Sequence, residues 1–441
     1  MRITVFRPWH VSLVAMLVCQ AVGLAAQPSD APAKLTASGG ALLQHSPGSS
    51  PPWKAVKLGS PLPGDTLLIA VPEADIDSAN GAVRLRMIAD LARRLPEPVY
   101  ESAVLLHKPT NKDIDLEVTL DRGLIILLNQ KDKGPAAVRL HAGGHVWDLL
   151  LEQPDTRVAL ALIGRHAAGL RPYIQDPSKP FKPDDHPTLD LYLLVLKGEI
   201  ELTTAGKCLA MNAPPGPAAF HWSNIDGDDS SPRKLDELPD FAKPPTPDEL
   251  KLAAQILARA KTLNFLPIDK VLDEARKSSE ARSRMAAVTL MGATDDLDGL
   301  FAALNDPAHP EVRDHAAVIF RHWLGRKAGQ DEILYKYLTE KQRLTPAQAG
   351  GFIQLLHGFS EAERETPELY STLISYLKHD KLPVRELVRF HLYRLVPAGK
   401  DIPFDAAGSP ESRAAAIKKW KELIPDGSLP PKPKVSEPAK P

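Results

Sequence analysis

His141 and His145 lie four residues apart, a spacing that is common among pairs of metal ligands. On a helix this spacing places both imidazoles on one face. Here Gly143 and Gly144 stand between them, and the flanking residues alternate between apolar and polar, which predicts a β-hairpin. No third ligand is identifiable. We therefore interpret the two as solvated turn histidines, with a metal site as the alternative.

Cys208 is a candidate nucleophile, because a thiolate is the reactive form of cysteine. It stands at the start of an apolar, strand-like segment, where buried and unreactive thiols are common. No histidine partner is evident, so the sequence predicts a buried, inert thiol. The run Asp184-Asp185-His186, between Pro183 and Pro187, is interpreted in the same way, as an exposed loop with a metal site as the alternative.

Asn224, Asp226 and Asp228 offer oxygen ligands at every second residue, as calcium-binding loops do. With Asn224 as the first position, Asp229 stands where an EF-hand needs glycine and Leu235 where it needs a bidentate acid. The EF-hand is therefore excluded. We interpret the segment as a solvated acidic linker, and a looser calcium site is the alternative.

The sequence lacks the short motifs that identify several common classes of enzyme. It contains no G-x-S-x-G, no phosphate-binding Walker A loop, no G-x-G-x-x-G and no H-E-x-x-H. The sequence therefore predicts a protein that is not an enzyme, with no catalytic, cofactor-binding or metal-binding residues and no cofactor. A dispersed active site that converges on His141, Asp184 or Cys208 is the basis of an alternative, hydrolase hypothesis.

The composition is that of a folded chain with long irregular connections. Of 441 residues, 43% are hydrophobic and 25% charged, which is enough for two or three domains. The 54 Lys and Arg nearly balance the 55 Asp and Glu, for a net charge of −1. The chain therefore has no overall positive charge that would attract nucleic acid or an anionic membrane. Proline is frequent, with 42 residues, which predicts extended connections.

Residues 1–26 have the pattern of an export signal. Arg2 and Arg7 precede an apolar run at 11–26 that ends in small residues. We predict a cleaved signal peptide and a periplasmic or secreted protein, with an uncleaved anchor as the alternative. The run is interrupted by Gln20 and is shorter than a spanning helix requires, and no later segment is long and apolar enough to cross a bilayer.

The next part of the chain is predicted to be a disordered tether and then a β-domain. Residues 27–52 are rich in Ser, Pro, Gly and Ala, a composition typical of disorder. Residues 53–222 have an apolar period of two, which predicts an antiparallel sandwich or barrel-like domain. The strands are expected at 83–87, 114–120, 124–128, 138–140, 158–162, 191–196 and 200–202, with turns at Asp121-Arg122-Gly123, Lys133-Gly134-Pro135, Gly143-Gly144 and Lys197-Gly198.

Beyond a predicted linker at 223–246, the apolar period changes to 3.6 and residues 247–425 are expected to be helical. Thr-Pro or Ser-Pro pairs at 246, 345, 366 and 409 predict helix starts, because proline at the first helical position leaves no N–H unsatisfied. A pattern recurs at Ala281-Arg282, Val312-Arg313, Val384-Arg385 and Ser412-Arg413. It indicates stacked helix pairs, with a plain bundle as the alternative. Residues 426–441 are a predicted disordered, Pro/Lys-rich tail.

The β region resembles the exported β-domain of FecR-like proteins, and the helical region resembles HEAT repeats. The first resemblance is carried by Pro63-Gly64-Asp65-Thr66-Leu67-Leu68, Gly81-Ala82-Val83-Arg84-Leu85, Leu120-Asp121-Arg122-Gly123-Leu124, Gly134-Pro135-Ala136-Ala137-Val138-Arg139 and residues 194–202, and the second by Asp306-Pro307-Ala308-His309-Pro310-Glu311-Val312-Arg313. They imply a non-catalytic β-domain at 53–222 and a protein-binding HEAT-like array at 247–425. FecR proteins signal to a sigma factor from a cytoplasmic segment ahead of a membrane span. Only ten residues precede the apolar run here, so the sigma-factor role is not carried over.

The resemblance to HEAT repeats also implies a structural role for the recurring arginines. Arg313 and Arg385 are expected to tie neighbouring repeats together through a turn aspartate such as Asp306 or Asp380, and anion binding is the alternative. The tryptophans stand among apolar neighbours and are predicted to be core anchors; they are Trp147, Trp222, Trp323 and Trp420.

Together these observations predict an exported, non-catalytic binding or scaffold protein of the cell envelope. The β-domain would dock on an envelope component and the helical repeats would hold a protein partner, with no nucleic-acid partner and no transmembrane span after signal cleavage. One alternative is a FecR-type transmembrane signalling relay, which needs an uncleaved anchor. The other is the hydrolase with dispersed catalytic residues.

Overall fold

A computed structural model of the chain describes residues 31–49, 52–89, 99–166, 187–225, 231–239, 246–247 and 268–431. The predicted signal peptide, the Asp184-Asp185-His186 loop, and Asp226 and Asp228 of the candidate calcium segment lie outside the described residues.

The amino-terminal region is made of strands, as the period of two predicts. They are β1 (Ala33–Ala37), β2 (Ala41–His45), β3 (Trp53–Ala55), β4 (Pro61–Leu62), β5 (Leu67–Val71), β6 (Glu73–Ser78), β7 (Val83–Ile88), β8 (Ser102–His107), β9 (Leu116–Asn129), β10 (Ala136–Ala142), β11 (His145–Leu151), β12 (Arg157–Arg165), β13 (Thr188–Lys197), β14 (Glu199–Thr204), β15 (Lys207–Asn212) and β16 (Ala219–Ser223). Sheet A has the order β4-β1-β6-β7-β9-β12-β13-β16, and sheet B the order β3-β2-β5-β8-β9-β10-β11-β14-β15. The described pairs are antiparallel except for β9 with β10, which is parallel.

Strand β9 belongs to both sheets. Its first half pairs with β8 and β10, and its second half pairs with β7 and β12. The predicted turn at Asp121-Arg122-Gly123 is therefore wrong, because these residues lie inside one continuous strand. Gly123 has a φ of +91°, and a Cβ there would lie 2.4 Å from the carbonyl oxygen of Glu101. Glycine allows the bend that carries β9 from one sheet to the other.

One buried cluster fills the space between the two sheets. It contains Leu85 and Leu127 of sheet A together with Leu42 and Val118 of sheet B, each fully buried. The predicted strands at 83–87, 138–140, 158–162, 191–196 and 200–202 are present as β7, β10, β12, β13 and β14. The β region is thus a mixed, largely antiparallel arrangement of two sheets.

Part of the predicted tether is ordered, which corrects the expectation for residues 27–52. Strands β1 and β2 lie within it, and β1 pairs with β6 while β2 pairs with β5. Leu35, Leu42 and Leu43 are buried. The Ser/Pro/Gly-rich composition of the segment outweighs these few apolar residues in a sequence-based prediction. The two strands are stabilised by pairing with β5 and β6, which are distant in sequence.

Ten α-helices, a π-helical segment at Tyr337–Lys341 and a 3₁₀ turn at Pro397–Gly399 make up the carboxy-terminal part of the described chain. The α-helices are α1 (Ile268–Lys277), α2 (Ala281–Ala293), α3 (Leu297–Leu304), α4 (Pro310–Gly325), α5 (Gln330–Lys336), α6 (Pro346–His357), α7 (Glu361–Arg364), α8 (Pro367–Tyr376), α9 (Leu382–Leu395) and α10 (Pro410–Leu423). The predicted starts at 345, 366 and 409 are confirmed by α6, α8 and α10, and the fourth adjoins residues outside the described ranges. Thr345 forms a capping box with Gln348.

Helix α4 occupies the centre of the helical region and contacts α2, α3, α6 and α9. Arg313, Arg385 and Arg413 are each the fourth residue of their helix. In α2 the fourth residue is Arg284, so the recurrence that the sequence places at Arg282 is shifted by two residues. The region is all-helical as predicted, and its description as HEAT-like repeats stays a prediction. Among the described residues, no helix combines the length and the apolarity needed to span a bilayer.

The strand and helical regions share a hydrophobic core. Leu43 and Ile69, on the outer face of sheet B, belong to the same buried cluster as the helical residues. Trp53 donates its indole N–H to the carbonyl of Thr294 at 3.2 Å. At Gly164, near the end of β12, a Cβ would lie 2.6 Å from the carbonyl oxygen of Gly325, so the strand crosses the end of α4 at close range. The two regions are therefore packed as one compact unit.

Part of the predicted linker also packs against the β region. Arg233 forms a backbone bridge with Ala219 of β16. Leu235 and Leu238 pack on the outer face of sheet A, against a small buried cluster that includes Leu194. The described part of residues 223–246 is therefore attached to the sheet.

Candidate functional site

His141 and His145, predicted to be solvated turn histidines with a metal site as the alternative, lie on opposite faces of a hairpin. Strands β10 and β11 pair His141 with Val146 and Ala142 with His145, and Gly143 and Gly144 form the turn. The hairpin prediction is confirmed. His141 Nε2 lies 2.9 Å from Oε1 of Glu117, so this histidine is held by a carboxylate rather than solvated alone. His145 packs 4.8 Å from the ring of Trp222.

A hydrogen-bonded chain joins Asp65, His107 and Thr119 near His141. Asp65 Oδ1 lies 2.5 Å from His107 Nδ1, and His107 Nε2 lies 2.7 Å from Thr119 Oγ1. Carboxylate, imidazole and hydroxyl follow the order of a hydrolytic triad. The Asp65 side chain is 81% exposed, and water therefore competes for its carboxylate. We interpret the chain as a surface network, which sequence analysis missed because no motif links these distant positions.

Cys208 is exposed, which corrects the prediction of a buried thiol. It lies on β15, which pairs with β14 alone among the described strands and forms one end of sheet B. Leu209 and Met211 point inward, so alternation turns Cys208 outward. A hydrogen bond with Glu201 raises the pKa of the Cys208 thiol and favours its protonated form, and the negative charge of Glu201 adds to this. Such a thiol is a poor nucleophile.

The described residue of the candidate calcium segment has a structural role. The side-chain oxygen of Asn224 accepts the N–H of Leu189 at 2.8 Å, and its amide donates to the carbonyl of Pro187 at 3.1 Å. Asn224 therefore joins the start of β13 to the end of β16. Within the described ranges, no three His, Cys, Asp or Glu side chains are grouped so that they could hold a metal ion.

Arg313 is the centre of a buried ionic network in the helical region. It is fully buried and donates to Glu386 at 2.7 Å, to Asp405 at 2.6 Å and to the carbonyl of Asp306 at 2.8 Å. Arg389 binds the same Glu386. The arginine ties turns and helices together, as expected, but through Glu386 and Asp405 and not through the Asp306 carboxylate, which binds Arg284 instead.

Arg385 has a comparable structural position. Its guanidinium donates to the carbonyls of Ala406, His379 and Asp380. The expected partner Asp380 is thus engaged through its backbone. The predicted core positions of the four tryptophans are confirmed, since each is at most 3% exposed.

A groove of about 570 Å³ lies above this network, between α4, α9 and α10. It is lined by Pro310, Arg389, Tyr393, Pro403, Phe404, Asp405, Ser412, Ala415, Ala416 and Lys419. Its volume falls within the range of small-ligand and peptide-side-chain sites. Two of these lining residues are held by ion pairs, Asp405 by Arg313, and Arg389 by Glu386 and Asp314. Part of the groove lining is therefore held in place by ion pairs within the protein.

Tyr393 fixes the shape of the groove wall. Its hydroxyl donates to the carbonyl of Ile402 at 2.6 Å and accepts the N–H of Phe404 at 3.1 Å. The guanidinium of Arg389 lies 5.3 Å from its ring centre, and Trp420 stacks at 6.0 Å. Gly399 permits this packing, since a Cβ there would lie 2.1 Å from the Trp420 ring. The ring of Tyr393 is thus held in one orientation.

A second buried charge cluster lies between the strand and helical regions. Glu101 accepts from Arg122 at 2.8 Å, and Arg326 of the helical region lies 3.8 Å away. His322 Nε2 lies 3.3 Å from the same carboxylate. Burial raises the pKa of Glu101, but the charges of His322, Arg122 and Arg326 outweigh it and hold that pKa well below its usual range. Glu101 is therefore an anion that bridges the two regions.

Two buried histidines lie near one another in the helical region. Burial lowers the pKa of His357 to about 3, and the charges of His166 and Arg321 add to the effect. Burial also lowers the pKa of His391 to about 4, although its bond to the Leu355 carbonyl opposes the shift. Both imidazoles are therefore neutral in the folded protein at neutral pH.

The free energy of unfolding should fall as the pH drops from 6.5 towards 4.5. The unfolded chain binds protons at both histidines below their usual pKa of 6.5, whereas the folded chain does not. Each of the two histidines lowers the free energy of unfolding by about 1.4 kcal/mol per pH unit in this window. Urea unfolding measured at several pH values tests this. His357→Phe should reduce the slope, and a flat profile in the parent protein would contradict the assignment.

Comparison of the chain with protein-family models, with curated proteins and with solved structures finds no match. The resemblances to FecR-like domains and to HEAT repeats therefore stay predictions. The candidate site consequently rests on the groove geometry.

Proposed function

We propose that this protein is an exported, non-catalytic binding or scaffold protein of the cell envelope, and that it holds a protein partner in the groove between α4, α9 and α10. The observation that carries this proposal is the groove of about 570 Å³. Its walls combine aromatic rings with charged side chains, a combination typical of recognition sites. Export is supported by the amino-terminal sequence pattern.

The common core of the two regions supports the scaffold role. Trp53 and the Glu101 cluster join the strands to the helices through buried hydrogen bonds and ion pairs. A partner bound in the groove is therefore held at a defined position relative to the β region. The outer face of sheet B beside Arg139 and Asp148 is polar, and it is the surface we assign to the envelope component.

Ala415→Trp should abolish partner capture by the purified protein from envelope extracts. Ala415 lines the groove and is exposed, so an indole there fills the space without entering the core. Ala414→Trp is the matched control, because Ala414 is exposed on the same helix but does not line the groove. Mass spectrometry compares the captured proteins. Equal capture by both variants, or no specific capture by the parent protein, would overturn the proposed function.

A further inference from the structure

We propose that the outer edge of β15 binds an extended segment of the envelope component as an added strand, in which basic residues alternate with apolar ones. This inference rests on the proposed function and specifies how the β region recognises its partner. It follows from the backbone groups that β15 presents away from β14 and from the side chains on the two faces of this edge.

The backbone of β15 presents hydrogen-bonding groups on the side away from β14. The turn at 205–206 has two residues, both with positive φ, so Thr204 and Lys207 on either side of it form a hydrogen-bonded pair. Hydrogen-bonded and non-hydrogen-bonded pairs alternate along an antiparallel ladder. The N–H and C=O groups of Cys208 and Ala210 therefore point outward.

The far end of β15 shows the same alternation. Asn212 also belongs to the outward set, and its N–H donates to the carbonyl of Pro217 at 2.9 Å. Within the described ranges, no backbone group bonds to the outward groups of Cys208 or Ala210. These two residues therefore offer four backbone groups to an incoming strand.

The other ends of the two sheets are short or covered. Strand β4 has two residues and begins with proline, and β3 has three residues and is tied to the helical region through Trp53. Arg233 bridges the outer side of β16. Strand β15, with six residues, is the longest of these four ends, and no described segment bridges its outer side before Asn212. An open edge of this kind is a template for strand addition.

The inner face of the edge favours an apolar residue. Leu209 lies on this face, is half-buried and lines a narrow cleft with Trp147, Phe220 and Trp222. In an added strand, the residue opposite Leu209 stands at the mouth of this cleft. An apolar side chain there loses contact with water as it packs on Leu209, which favours binding.

The outer face of the edge favours a basic residue. Glu201 lies directly opposite Ala210, and the strand register places Glu199 and Glu152 on the same face. None of these three carboxylates is ion-paired with a described residue. Because Ala210 has no side chain beyond Cβ, a lysine or arginine opposite it in the added strand can reach across to Glu201.

Nearby basic residues leave this negative charge uncompensated. On β10, β11, β14 and β15, the lysines and arginines are Arg139 and Lys207. Arg139 is paired with Asp148, and Lys207 alternates with Cys208 and so belongs to the face of Leu209. A second copy of the chain would add the same carboxylates to the outer face, so a basic partner segment is the better occupant.

A random heptapeptide library displayed on phage provides the probe. It is selected on the immobilised full chain after depletion on Ala210→Pro, in which the outward N–H is lost and the proline ring obstructs the edge. Pairing with β14 does not use this N–H, so the variant should fold, which circular dichroism checks. We expect selected peptides in which Lys or Arg alternates with Val, Ile or Leu. Acidic peptides, or none that distinguish the parent chain from Ala210→Pro, would overturn the inference.

Methylation of the peptide backbone tests strand addition without changing the protein. Each N–H of a selected, fluorescein-labelled peptide is methylated in turn, and binding is measured by fluorescence anisotropy. Methylation of residues whose N–H faces β15 should weaken binding about tenfold, and methylation of the residues between them much less. Equal losses at all positions, or none, would contradict pairing with the edge.

Charge reversal at one glutamate tests the outer face. Glu201→Lys should weaken binding of the same peptide about tenfold, because it replaces an attraction by a repulsion. Glu422→Lys makes the same change in net charge at an exposed position of α10 and is the matched control. Equal weakening by the two variants would contradict a local contact with Glu201.

The outcomes separate this inference from the proposed function. If envelope capture depends on Ala415 but no peptide requires the edge of β15, the proposed function stands and the inference fails. If capture does not depend on Ala415, the proposed function itself fails. A dimer of the parent chain in sedimentation velocity that Ala210→Pro abolishes would mean that a second copy occupies the edge, and would also overturn the inference.

Discussion

Arg313→Ala should lower the free energy of unfolding by about 3–5 kcal/mol, the range for removing one partner of a buried ion pair. Arg313 and Glu386 are both fully buried, and Arg313 also donates to Asp405 and to the carbonyl of Asp306. Without the arginine, Glu386 keeps Arg389 as a partner but loses its shortest contact to α4. Urea unfolding followed by circular dichroism measures the change.

Arg282→Ala is the control for this substitution. The sequence pattern places Arg282 at an equivalent position of the recurrence, yet the side chain is exposed in the structure. We expect a loss within about 0.5 kcal/mol, as for other surface substitutions. Similar losses for both variants would show that burial of Arg313 is not what stabilises the helical region.

Glu101→Gln should also cost about 3–5 kcal/mol, because it removes the anion from a buried cluster of positive groups. Glutamine preserves the shape of the side chain but leaves Arg122 and Arg326 without this counter-charge. Both arginines are almost completely buried. The free energy of unfolding again reports the loss.

Hydrogen exchange gives a second measurement for the Glu101→Gln variant. Since Glu101 joins the two regions, protection should decrease at the end of α4 and in β8, which flank the cluster. Glu199→Gln, at an exposed position of β14, is the control and should change neither quantity. Unchanged stability in Glu101→Gln would mean that the cluster does not hold the regions together.

Secondary structure was predictable wherever periodicity and end signals agreed. Alternation identified β7, β10, β12 and β14, and the dense apolar run at 191–196 identified β13 as a strand buried on both faces. The helix starts at Pro346, Pro367 and Pro410 followed from cap chemistry that acts within four residues. These signals depend on residues that are close together along the chain, so they can be recognised without knowledge of the tertiary structure.

Features that depend on distant contacts were not predictable. Asp121-Arg122-Gly123 has the composition of a turn, but its neighbours from β8 and β12 keep it extended. Residues 27–52 have the composition of a disordered tether, so β1 and β2 were not predicted; their stability comes from pairing with β6 and β5. Cys208 is exposed because alternation along β15 turns its side chain away from the inner face of the sheet, and which face of a strand is covered depends on residues distant in sequence.

The candidate site was missed for the same reason. The groove joins residues from α4, α9, a loop and α10 that span more than a hundred positions, and none forms a motif. The sequence singled out Arg313 and Arg385 correctly as structural residues. It did not indicate that the network around Arg313 supports a binding surface.

The sharing of β9 by two sheets has a consequence for folding kinetics. This strand bonds to β7, β8, β10 and β12, so four pairings meet in one segment. Neither sheet is complete until β9 has met partners from both sides, and several of these pairings require the closure of long loops. We therefore expect the two sheets to form together in folding, and not one after the other.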